Sequence, residues 1–140
     1  MVDEEYKRWQ NHTVAQLSYA INFFLGLVAA VFAFSVTLIM NEKFILYGRN
    51  KYLFSSALLF QLFSMFCGIT AVIVRTHNFG VLALIAFKGY SDTTVGPLWR
   101  RAKQLASLTW YLFWAQLVFF AISMFSLLTC IFIVYKSKLL

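Results

Sequence analysis

The chain has 140 residues, of which 61% are hydrophobic and 12% charged, with a net charge of +7 and a mean hydropathy of +0.75. Soluble domains hold roughly 45–50% apolar and about 25% charged residues, and one this short buries only about 60–70% of the surface its unfolded chain exposes. Composition therefore excludes an ordinary water-soluble globule, and lipid is the expected cover for the excess apolar surface.

In chain order, Asp3, Glu4 and Glu5 precede Lys7 and Arg8, the order that suits a helix dipole at its N-terminus, and Trp9 follows where an interfacial aromatic belongs. The acidic start and the length of the apolar stretch behind it predict an uncleaved first span, read as one helix from Asp3 to about Met40. Asn41 to Asn50 is a short loop with a turn at Tyr47-Gly48-Arg49-Asn50. Span two starts near Tyr52 and ends near Arg75. The run Phe79, Leu82, Ala83, Leu84, Ile85, Phe87 keeps helical apolar spacing but is too short before Lys88 for a fourth crossing, so it is read as a helical extension. Turn residues from Gly89 lead to Pro97, suited to the first turn of a third helix.

No Asp, Glu, Lys or Arg lies between Trp9 and Asn41, Tyr52 and Val74, or Gln104 and Tyr135. Each window exceeds the ~20 residues that carry a helix across about 30 Å of hydrocarbon. The expected fold is all-α: one polytopic membrane domain over 1–140, with three transmembrane helices spanning about 14–40, 52–74 and 105–135. Helices 1–3 are long and extend past the bilayer on the N-terminal side, with a helical hairpin extension over 75–104. With the N-terminus inside, Lys7, Arg8, Arg75, Lys88, Arg100, Arg101 and Lys103 face the cytoplasm, against Lys43, Arg49, Lys51, Lys136 and Lys138 outside. The positive-inside rule then favours a cytoplasmic N-terminus, and a small basic protein suits a bacterial inner membrane.

The spans carry no ionisable group that would mark a proton relay or voltage sensor. Their uncharged polar residues include Gln16 and Asn22 in span one, Gln61 and Ser64 in span two, and Gln116, Ser123 and Ser126 in span three. These either hydrogen-bond between helices or line a wet path in an oligomer. The pairs Gly26 with Ala30 and Ser64 with Gly68 have the small-xxx-small spacing that lets helices approach closely. Cys67 and Cys130 read as small apolar residues, with no zinc-ligand or redox spacing.

At the inner boundary, His12 should share a depth with Arg75 and His77, with Arg100 and Arg101 approaching from the hairpin. Histidine titration or anion binding is one role for this cluster; snorkelling to lipid phosphate is the other. The connection, at +4 over Arg75, Lys88, Asp92, Arg100, Arg101 and Lys103, favours anionic lipid. With two histidines and five carboxylates, four of the latter in the leader or first loop, no catalytic residues are expected. Nor are a metal site, a cofactor or a nucleic-acid partner.

Three spans, with Arg75-Thr76-His77 after the second and a basic stretch before the third, loosely resemble the cytochrome b anchor subunits of succinate dehydrogenase. That family places a haem-binding histidine within its second span and a Ser-Pro-His segment before its first. Residues 61–70 hold no histidine and the leader lacks the segment. The resemblance thus implies an anchor and no haem. The sequence points to a small non-enzymatic membrane protein that self-assembles as a homo-oligomer, a channel-like or membrane-perturbing effector. The alternative is a non-catalytic anchor or assembly subunit whose helix 2–3 hairpin docks a protein partner.

Overall fold

The computed structural model describes residues 2–42, 44–88 and 95–139, with side chains described for 8, 12–13, 15–42, 44–86 and 96–136. The turn expected over 89–94 and the side chains of Trp9 and Lys88 lie outside these residues. Three helices account for nearly all of it: α1 (Val2–Met40), α2 (Arg49–Lys88) and α3 (Val95–Leu139). The fold is all-α, with three helices long and apolar enough to cross a membrane. At 1.5 Å per residue they run roughly 60–70 Å, about twice the hydrocarbon thickness.

The helix ends follow from local chemistry. α1 stops at Met40, where Asn41 and Glu42 interrupt the apolar run. Gly48 adopts a φ of 52°, a left-handed conformation that suits glycine, and the turn closes through the Lys51 amide donating to the Gly48 carbonyl at 3.2 Å. Pro97 sits in the first turn of α3, where its missing N–H leaves no intrahelical bond unmade. α2 continues through Arg75 to Lys88, so the run after Arg75 is helical.

α2 and α3 form the principal pair, packed antiparallel along nearly their whole length; α1 lies chiefly on α2 and touches α3 little. Three contacts set the α2–α3 register. Ser123 Oγ donates to the Ala57 carbonyl at 2.9 Å, Ser64 Oγ to the Gln116 carbonyl at 2.9 Å, and Cys130 Sγ approaches the Asn50 carbonyl at 3.7 Å. This register places Arg75 opposite Leu105 and Arg100 opposite Gly80.

The buried residues of the pair recur every seven positions. On α2 they are Ala57, Ser64 and Ala71, then the half-buried Asn78 and the buried Ile85, flanked by Phe54, Gln61 and Gly68. On α3 they are Ala102, Thr109, Gln116, Ser123 and Cys130. A seven-residue period keeps one seam facing the partner along a long helix. Small side chains on that seam let the backbones come close enough for serine hydroxyls to reach the opposite carbonyls. Core clusters cap the two ends: Phe54, Ala57, Leu127 and Cys130, against which Phe44 and Leu46 of the first loop fold, and Val81, Ile85 and Ala102 in the extension.

Candidate functional site

Exposed tyrosines among the described residues fall at two levels of the bundle, with Trp110 beside one of them, while exposed phenylalanines and Trp114 lie between the levels. Tyr19, Trp110 and Tyr111 project outward near one end, and Tyr47, Tyr52 and Tyr135 near the other. With the α2–α3 register and the Ile21–Ala71 contact between α1 and α2, these levels lie about 25–40 Å apart at 1.5 Å per residue. That separation matches the hydrocarbon thickness, and aromatic belts gather at its edges. Arg75 then falls at the inner edge, and the turns beyond it, paired with 95–105, continue past it.

The polar residues of the spans divide into two sets. Gln61, Ser64, Gln116 and Ser123 are fully buried between helices. Gln61 Nε2 donates to Ser35 Oγ at 3.3 Å, and Ser35 Oγ donates to the Val31 carbonyl at 2.8 Å. The wet path expected past Gln61 and Gln116 is not formed by the protomer, because both are sealed inside it. Sequence reasoning missed Ser35, the α1 partner of Gln61.

The seal is incomplete in hydrogen bonds. Neither Oε1 nor Nε2 of Gln116 has a partner, and Oε1 of Gln61 has none. Gly68 is the reason that Gln116 fits: a Cβ there would lie 2.7 Å from Gln116 Nε2 and 3.1 Å from Leu25 Cδ1. The expected close packing at Ser64 and Gly68 is thus realised between α2 and α3.

Gln16 and Asn22 are exposed on α1, so the interhelical hydrogen bonding that was one expectation for them is not made within the protomer. Gly26 and Ala30 are likewise exposed, and a Cβ added at Gly26 would meet nothing within 4 Å. Their packing role is not met inside the protomer, because α1 turns Ile21, Val28 and Ser35 toward α2 and this other face outward. The outward face carries Ala15, Asn22 and Ala29 seven residues apart, with Gly26 and Ala33 beside them. It has the same small-and-polar, seven-residue pattern that packs α2 against α3, with nothing packed on it.

The inner-boundary residues form no single site. His12, His77, Arg100 and Arg101 are exposed around the bundle, the two arginines roughly 8 Å beyond Arg75 along the axis. Arg75 is half-buried, its guanidinium 5.3 Å from the centroid of the Phe79 ring. It lines a cleft with Leu17 of α1, Asn78, Phe79 and Leu82 of α2, and Ala106, Thr109 and Trp110 of α3. This is a place where all three helices meet, and the Asn78 carbonyl oxygen is buried there without a partner. The Thr109 hydroxyl is engaged with the Leu105 carbonyl at 2.9 Å. The pairing that puts Asn78 beside Ala106 and Thr109 was not legible in the sequence.

Comparison with family models, with curated proteins and with solved structures finds no match.

Proposed function

We propose that this chain is a small, non-enzymatic integral membrane protein that self-assembles through the outward face of α1 into a channel-like or membrane-perturbing homo-oligomer. The observation that carries this reading is the bare ladder of Ala15, Asn22, Gly26, Ala29 and Ala33. Lipid tails gain little from a surface of methyl groups and backbone, and cannot hydrogen-bond an amide. A second helix gains close van der Waals contact and a partner for Asn22. The internal α2–α3 seam uses the same residue types, which supports the face as a packing surface. Any aqueous path then runs between copies, lined from α1, with Gln61 and Gln116 buried inside each protomer. A bacterial inner membrane with the N-terminus in the cytoplasm, beside anionic lipid, is the setting in keeping with the distribution of basic residues.

Purified protein in mild detergent is expected to run as one discrete oligomer, and Asn22→Leu is expected to change ion flux across liposomes. A strict monomer at high concentration would count decisively against assembly. Unchanged flux in the variant would remove the channel-like reading.

One observation favours the anchor or assembly-subunit alternative. Beyond the inner aromatic level, Phe79, Leu84 and Trp99 remain exposed on the hairpin extension. Apolar side chains on a projecting element are the kind of surface that a protein partner covers. Co-purification at native expression separates the readings: one stoichiometric partner supports the anchor, and self-association alone supports the oligomer.

A further inference from the structure

The buried amides of the spans lie where α1 covers the α2–α3 pair. Gln61 meets Ser35 of α1, and the Gln116 amide shares the space over Gly68 with Leu25 of α1. Oε1 of Gln61 and both polar atoms of Gln116 are without a partner, so three strong hydrogen-bonding sites are held dry under this helix. The cover itself is largely apolar. Ile21 and Val28 are buried on it beside Ser35, and Phe24 meets Phe113 and Phe120 of α3 edge-on. In a bilayer such contacts hold a helix less firmly than in water, because lipid tails are as apolar as the side chains they replace. The α2–α3 seam differs, since serine hydroxyls bond across it at 2.9 Å from each side.

The inner boundary shows where the cover can lift. There the three helices leave a cleft of about 450 Å³, including the part open to the side, with Leu17 as its α1 wall. Deeper in, Ile21, Ala71 and Phe113 close the gap between α1 and the pair. The Gln116 amide lies just behind them at the level of Gly68, about 10 Å in from Arg75 at 1.5 Å per residue. We propose that α1 is a hinged cover, held at its outer end and parting from α2–α3 at Ile21, so that water from the inner boundary reaches Gln116. The outer end is the fixed one because Ser35 is bonded to Gln61 there. Phe44 and Leu46 of the following loop also pack on the cluster of Phe54, Ala57, Leu127 and Cys130. Opening exchanges helix contact for lipid contact and gives the unpartnered amide water; the structure holds the closed state. The inference concerns one protomer and stands whether or not copies assemble.

The test is water access, read in lipid nanodiscs with a charged methanethiosulfonate reagent on the full chain carrying Cys67→Ala and Cys130→Ala. The reagent is attacked by thiolate, which forms only where water reaches the sulfur. Ile21→Cys, Val28→Cys and Ser35→Cys report from the covered face of α1, and Ala57→Cys reports from the α2–α3 seam; all four positions are buried. Labelling is expected to fall in the order Ile21, Val28, Ser35, with Ala57→Cys slower than Val28→Cys. Gln116→Met, which removes the unpartnered atoms and keeps the bulk, should slow labelling of Val28→Cys about tenfold, the order that one unsatisfied buried polar group contributes. Because that substitution is made in the Val28→Cys chain itself, it separates opening from misfolding, and a helix that is only loose labels alike with either residue at 116. Equal rates at Val28→Cys and Ala57→Cys would overturn the inference. So would a flat or reversed order along α1, or labelling that Gln116→Met leaves unchanged.

Discussion

Gln116 is the side chain with most at stake. Its amide is buried with neither polar atom partnered, and such a group costs about 1–3 kcal/mol relative to one that is satisfied. Gln116→Met keeps the length and removes the orphaned atoms, so it should raise resistance to SDS-induced unfolding by a similar amount. A less stable variant would mean that the amide is satisfied in the membrane, by water or by a rearranged neighbour. Sequence alone marked Gln16, Asn22, Gln61 and Gln116 as a set, because an amide in an apolar run looks the same wherever it points. What divides them is the pairing. Gln61 finds Ser35, Gln116 fills the space beside Gly68, and the two on α1 face outward.

Among the elements, two glycines report on two different surfaces. Gly68→Val would force a branched side chain against Gln116 and Leu25 and should cost about 1–3 kcal/mol of protomer stability, as overpacking does. Gly26→Val meets open space in the protomer and should leave its unfolding unchanged while weakening self-association. The first is read by SDS unfolding and the second by sedimentation in detergent. Equal effects of both on protomer unfolding would remove the distinction between an inner seam and an outer face. The helices themselves were legible: charge-free windows located the spans, and Pro97 and Gly48 stand where α3 and α2 begin. The seven-residue seam was hidden because these helices are apolar on every side. An apolar stripe then carries no contrast, and the informative signal is the recurrence of small or polar residues at Ala57, Ser64 and Ala71 or at Ala102, Thr109, Gln116 and Ser123.

For the whole molecule, the two aromatic levels set a bilayer-thick band with the hairpin extension of α2 and α3 projecting from one edge. Lengths of 39, 40 and 45 residues bear out the expected long helices, each longer than a single crossing needs. Self-assembly was expected from the sequence, but the outward face of α1 was not legible there, because it is what remains after α2 has been covered. That leftover face is the central claim, and cross-linking in native membranes tests it most directly. In a Cys67→Ala, Cys130→Ala background, Ala29→Cys should form an intermolecular disulfide on mild oxidation, whereas Phe125→Cys, on an exposed face of α3, should not. Absence of cross-linking at Ala29, or equal cross-linking at both positions, would contradict assembly through α1.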